Sequence, residues 1–249
     1  MRISQTNTVI EYDAADNLLL LFGGSLKEFQ KKNNARVQLL NVPQHIPPNA
    51  PRIIVSFRNA ILNISLVRFE IISRIPDHIT EDISATILFS KNIVENIISQ
   101  LWIPELKYKW INLVATLEFY KNISDKTALE LAKPFFDNLI KIDRNNRELG
   151  SFEIKFGFKE GNYFKNYRIS CFEQRDIKID PTKFSDIQKV FDLEEISAIT
   201  NIGLKVIFDI NNKSSELERT LNSDFEEILR ELEKSLPKVV RELNLDRLL

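Results

Sequence analysis

Phe152-Glu153-Ile154-Lys155-Phe156-Gly157-Phe158-Lys159, closed by Glu160-Gly161-Asn162 and answered by Tyr163-Phe164-Lys165-Asn166-Tyr167-Arg168, decides the fold class of this chain. Phe152, Ile154, Phe156 and Phe158 alternate with Glu153, Lys155, Gly157 and Lys159, and a strict period of two puts one set on each face of a strand. Gly161-Asn162 suits the left-handed backbone of a tight hairpin turn, so Tyr163 to Asp176 returns antiparallel to the first strand. Leu204, Val206, Phe208 and Ile210 repeat the alternation and predict a further strand.

Outward from this hairpin the helices follow. A helix near Phe184, Ile187, Val190 and Phe191 lies in the crossover, and a long one closes the chain. Ser223-Asp224-Phe225-Glu226 reads as a capping box, with the Ser hydroxyl and Glu carboxylate each meeting an orphaned backbone donor. Phe225, Ile228, Leu229, Leu232, Leu236 and Val239 form its apolar stripe, with a kink expected at Pro237.

About one hundred positions upstream the same order recurs. Ile53, Val55 and Phe57 make a strand, Asn59-Ala60 a turn, and Ile61 to Ser73 a second strand whose two apolar faces predict a central position. Ser90 is the expected N-cap of a helix carrying Ile93, Val94, Ile97, Ile98 and Leu101, stopped by Pro104. Tyr108 to Tyr120 is the third strand, followed by a helix capped by Ser124 or Asp125 and interrupted at Pro134. Phe69-Glu70 against Phe172-Glu173 is the best residue match between the copies. The expected fold is therefore α+β: two related ββαβα halves, antiparallel sheets backed by amphipathic helices. The boundaries are a lead-in over 1–50, a first half over 51–145 and a second over 146–249, with the halves free to merge into one domain. In the lead-in, Asp16 or Asn17 caps a short helix, Gly23-Gly24 breaks it, and Ser25 starts another; Pro43, Pro47, Pro48 and Pro51 mark a loop.

Composition narrows the function. Hydrophobic residues at 43% and charged residues at 28% belong to a folded domain, and a net charge of −1 shows no basic excess for phosphate contacts. The one cysteine, Cys171, cannot pair internally, Met1 to Gln5 lacks a secretory apolar stretch, and no run approaches a membrane span; a cytoplasmic location without membrane contact is expected.

Chemistry is sparse. His45 and His78 stand alone in loops, without metal-ligand or nucleophile–base spacing, so no cofactor, metal ligand or catalytic residue is assigned. Glu153-Ile154-Lys155 with Asp143 upstream resembles the acid…Glu-x-Lys pattern of restriction-type nucleases, in which two carboxylates hold Mg²⁺ beside a lysine. Asp143 lies in a charged linker, however, and a solvated strand face is the better reading of the pattern. Asp209 sits at a strand end, where functional carboxylates often lie and where turn chemistry explains it as well. Lys107, Lys109 and Trp110, with Tyr163, Lys165 and Arg168, interleave bases and rings as a single-stranded nucleic-acid surface would. Leu245, Leu248 and Leu249 make an apolar tail suited to a partner or second subunit.

Trp110-Ile111-Asn112-Leu113-Val114-Ala115-Thr116-Leu117, followed by Gly203-Leu204-Lys205-Val206-Ile207-Phe208-Asp209-Ile210 and a closing amphipathic helix, resembles a sporadically distributed family of uncharacterised bacterial proteins of similar length. The family's usual Arg-Tyr-Ile-Asn-like strand is missing, and the resemblance transfers no catalytic residue. Its sporadic distribution implies mobile or defence-associated genes. The expected function is a non-catalytic cytoplasmic binding or assembly protein, an accessory to a bacterial defence or toxin–antitoxin-like system and a candidate homodimer. The alternative is single-stranded nucleic-acid binding through the sheet surface, and the third reading is a Mg-dependent nuclease.

Overall fold

A computed structural model describes residues 1–43, 45–103, 106–121, 153–177, 197–213 and 220–242. Its strands are β1 (Arg2–Tyr12), β2 (Arg36–Leu39), β3 (Ile53–Phe57), β4 (Ala60–Ile64), β5 (Arg68–Arg74), β6 (Tyr108–Lys121), β7 (Glu153–Glu160), β8 (Tyr163–Ile177) and β9 (Ser197–Asn211). The helices are α1 (Leu18–Asn33), α2 (Ile83–Leu101) and α3 (Leu221–Glu242). All nine strands form one sheet, ordered β2-β3-β4-β5-β1-β6-β9-β8-β7, with every pairing antiparallel. The order is roughly mirror-like about the β1–β6 seam, with a four-strand meander (β2 to β5) on one side and a three-strand meander (β7 to β9) on the other.

Alternation sends one set of side chains toward the helices. Ile111, Leu113, Ala115, Leu117 and Phe119 of β6 are buried there, as are Leu204, Val206, Phe208 and Ile210 of β9 and Phe69 and Ile71 of β5. α1 packs Phe22 on Phe69 and Phe29 on Phe57, at ring separations of 6.1 and 5.0 Å. α2 meets the sheet through Ser90, whose hydroxyl lies 2.7 Å from that of Thr6 on β1. α3 seats Phe225, Ile228, Leu232 and Leu236 in the same core, at roughly 25 cal/mol of stabilisation per Å² of apolar surface covered.

Several local expectations change. Residues 2–12 are not lead-in but the central strand β1. The helix break predicted at Gly23-Gly24 does not occur: α1 runs through both glycines, capped by Asn17, whose side chain accepts from the Leu20 amide at 3.1 Å. Leu18, Phe22, Leu26 and Phe29 bury one continuous stripe, which outweighs about 1 kcal/mol of helix propensity lost at each glycine. The expected long strand from Ile61 to Ser73 is two strands, split where Ser65 turns the chain and its carbonyl accepts the Tyr12 hydroxyl at 2.7 Å. α2 begins at Asp82, which accepts from Ala85 N at 2.9 Å, rather than at Ser90; Ser90 lies inside the helix and donates to Thr86 O. α3 begins at Leu221, and Thr220 rather than Ser223 takes the capping position, accepting from Ser223 N at 3.3 Å. Pro237 sits within α3. The hairpin turn at Gly161-Asn162 forms as expected, with Gly161 at φ 58°. The predicted helices around 124–140 and 184–191 lie outside the described residues. No helix among the described residues is long and apolar enough to cross a membrane.

Candidate functional site

The described helices α1, α2 and α3 pack on one face of the sheet, and on the other face the side chains of alternate described residues bond from strand to strand. Asparagine is disfavoured within strands, yet this face is built around it. Asp209 on β9 accepts from Asn112 of β6 at 3.1 Å, Asn166 of β8 at 3.2 Å and its strand neighbour Asn211 at 3.1 Å. Across the seam, Glu70 on β5 accepts from Asn7 of β1 at 3.0 Å and Asn63 of β4 at 3.1 Å. Each carboxylate is thus held by neutral amides, and neither makes an ion pair among the described residues. Because the NH₂ groups of Asn7 and Asn112 must point at the carboxylates, their Oδ1 atoms are left buried without a partner.

Around these clusters several charges are matched in place. Arg2 pairs with Glu118 at 2.9 Å, and Arg68 with Glu11 at 2.9 Å. Lys155 reaches Glu153 at 2.7 Å, with Arg168 Nε 3.6 Å from the same carboxylate. The Lys155 ammonium, helped by Arg168, holds the Glu153 carboxyl below the usual carboxylate range. Lys213 lies over the Trp110 ring, 5.4 Å from its centroid. Between β6 and β7 the face dips into an open groove of about 500 Å³, with Val114 and Ile207 among its lining and Lys155, Arg168, Asn166 and Asp209 as its polar groups.

The residues expected to form a nucleic-acid surface are not brought together. Trp110 and Arg168 do lie on this face, as their register opposite Glu11 and Ile207 requires. Lys165 does not: it is 6% exposed on the helix side, where its ammonium is held by Glu160 and by Glu231 of α3, the latter at 2.8 Å. Tyr163 likewise packs against the core beneath the helices. Lys109 pairs with Asp13 at 2.8 Å, and Lys107 is exposed in the approach to β6. In the Glu-x-Lys pattern the lysine bonds its own glutamate, and Asp143 lies outside the described residues. No cluster of three or more His, Cys, Asp or Glu side chains fit to hold a metal ion occurs among the described residues. Leu245, Leu248 and Leu249 also fall outside them.

Sequence reading passed over two arrangements. One is the amide-held carboxylates; asparagines placed mid-strand were the available clue. The other is Asp224, 4% exposed under the start of α3, which accepts from the Tyr108 hydroxyl at 2.8 Å and Asn212 Nδ2 at 2.6 Å. Asn212 Oδ1 in turn accepts from Ile111 N at 2.9 Å, so the cluster ties helix, β6 and the end of β9 together. No family model and no curated protein matches the sequence.

Proposed function

We propose that this chain is a non-catalytic, cytoplasmic binding protein, and that the sheet face opposite the helices takes a protein partner of mixed surface charge. The observation that carries this reading is the in-place matching of charge on that face: Arg2, Arg68 and Lys155 each already hold a carboxylate at 2.7–2.9 Å. A surface for phosphates needs cations to spare, whereas a protein interface tolerates matched pairs at its rim around apolar and amide groups. Val114, Ile207 and the asparagines supply that interior. Two related halves meeting at the β1–β6 seam would explain why an amide-held carboxylate stands on either side of it. Membership of a defence or toxin–antitoxin-like system rests on the family resemblance alone.

The test is lysine cross-linking in living cells followed by mass spectrometry. Partner cross-links should map to Lys155 and Lys205 of the open face, and not to Lys234 or Lys238 of α3. Cross-links confined to the helix side overturn the reading. So does oligonucleotide binding at moderate salt that Arg168→Ala abolishes, which would favour the nucleic-acid alternative.

A further inference from the structure

The strand registers carry a repeat of their own. Asn7 and Val9 of β1 recur as Asn112 and Val114 of β6. In each case the valine stands opposite the carboxylate of the next strand outward, Glu70 on β5 and Asp209 on β9. Each carboxylate has an asparagine opposite it on its other side, Asn63 on β4 and Asn166 on β8. Phe69-Glu70-Ile71 thus corresponds to Phe208-Asp209-Ile210, and both phenylalanines are fully buried. The hairpins β3–β4 and β7–β8 each turn on two residues, Arg58-Asn59 and Gly161-Asn162, with the first of each pair at φ 46° and 58°. The connections from β5 to α2 and from β9 to α3 agree in length to within one residue. α2 lies on β1 and β5 as α3 lies on β6 and β9. Every buried residue of α2 has a buried counterpart in α3: Thr86, Ile87, Ser90 and Val94 return as Asp224, Phe225, Ile228 and Leu232.

We infer that the chain is two copies of one unit fused in tandem, each a strand, a connection, a three-strand meander and a helix, and that β1 and β6 are each other's partner in an isologous interface between the copies. A loose likeness of architecture would not preserve register, since a slip of one residue turns a strand's side chains to the opposite face. Here the β1–β5, β3–β4 and β4–β5 ladders map onto β6–β9, β7–β8 and β8–β9 without a slip. The seam obeys the stricter rule of a two-fold axis, under which residue i meets j and j meets i. Asn7 lies opposite Val114 and Asn112 opposite Val9, so the two contacts exchange, and the axis passes through the Thr8–Leu113 pair between them. The amide-held carboxylates are therefore one element present twice, whatever the open face binds. β2 is an addition to the first copy. The place of α1 in the second copy falls to residues 122–152, outside the described residues.

Two copies joined by a symmetric interface make their order along the chain immaterial. Six residues, 102–107, join Leu101 of α2 to Tyr108 of β6, and the two-fold relation sets Val239 of α3 to Ile3 of β1 in the same way. Residues 240–249 followed by 1 and 2 are long enough to close that gap. The test is the full chain with its copies exchanged, residues 105–249 followed by 1–104. It should keep the far-ultraviolet circular dichroism of the native order and melt cooperatively within about 10 °C of it. A second permutant, opened between Arg58 and Asn59 inside a copy, carries the same junction. If that chain folds and the exchanged one does not, the inference falls. Spin-label distances in the native order decide the case in which neither folds. With labels on the exposed residues Asn59, Asn92, Asn162 and Arg230, the distance between Asn59 and Asn92 should equal that between Asn162 and Arg230. The crossed distances, Asn92 to Asn162 and Asn59 to Arg230, should also agree. A disagreement beyond one helical turn, about 5 Å, overturns the inference whatever the permutants do.

Discussion

Lys165 offers the sharpest test of the structure, because a role in ligand binding and a role in packing predict opposite results. Its side chain is 7% exposed and bridges Glu160 at the β7–β8 hairpin and Glu231 on α3, which are 63% and 26% exposed. Removing one partner of a fully buried pair costs about 3–5 kcal/mol because the other charge is stranded. Here both carboxylates retain access to water, and Lys165→Met keeps the apolar stem, so a loss of about 1–2 kcal/mol is expected, or roughly 3–6 °C in Tm for a chain of this size. Glu231→Gln alone should cost less, because Glu160 still holds the lysine. A double-mutant cycle between the two should give a coupling of about 1 kcal/mol. The pH dependence adds a second readout. Burial pulls the Lys165 ammonium down, but its hydrogen bonds to Glu160 and Glu231 outweigh this and hold it above the ordinary lysine value; Glu160 is correspondingly held low by Lys165. A raised lysine stabilises below its unfolded value of about 10.4 and stops doing so as pH climbs through its folded value; a lowered glutamate stabilises above about 4.3 and loses this as pH falls. The Tm gap between wild type and Lys165→Met should therefore be level from about pH 5 to 10 and narrow at both ends. Thermal denaturation followed by circular dichroism measures all of this. An unchanged Tm, together with loss of oligonucleotide binding, would refute the packing assignment.

Three further outcomes follow from particular contacts. Gly24→Ala should raise stability by about 1 kcal/mol and Tm by roughly 2–4 °C, because the added methyl meets nothing among the described residues and the helix gains propensity; a lower Tm would mean α1 breaks there. Gly203→Ala should cost about 3 kcal/mol or more, since its Cβ would sit 2.1 Å from the Phe119 carbonyl oxygen across the β6–β9 ladder and that backbone cannot step aside without losing pairing; soluble expression at wild-type Tm would contradict the register. Tyr12 donates to the Ser65 carbonyl at 2.7 Å and burial pushes its phenol far above the ordinary tyrosine range. In an alkaline absorbance titration, one tyrosine should stay protonated until the protein unfolds, and full ionisation in the folded state would rule that burial out.

Alternation made β6, β7, β8 and β9 readable in the sequence, and the apolar stripe did the same for α3. The strand β1 hid because Thr6 and Thr8 occupy helix-side positions where apolar residues are expected, and because the irregularity between Ile3 and Gln5 shifts the parity of its pattern. Ser90 looked like a cap because serine caps helices, but composition does not reveal a hydroxyl partner 84 residues away on another strand. The site was legible only in part. Lys165 and Arg168 stand three apart on a strand and so face opposite ways, which a charge-counting view of the segment overlooks. The amide cradles of Glu70 and Asp209 draw on three and four separate positions brought together by register, which no single stretch of sequence displays.

The mirror-like sheet has a consequence for how the chain is made. Everything needed for β1 through β5, α1 and α2 has been synthesised by residue 101, so half the sheet can assemble while translation continues. Its outermost strand at that moment is β1, whose free side is destined for β6 and has nothing to pair with until residues 108–121 emerge. A strand edge waiting on the ribosome is an invitation to the wrong neighbour. The polar and charged residues on its open face, Gln5, Asn7 and Glu11, are the kind that discourage such pairing. The side chains that tie β1 to β5, Asn7 to Glu70 and Glu11 to Arg68, thus also equip it to wait for β6.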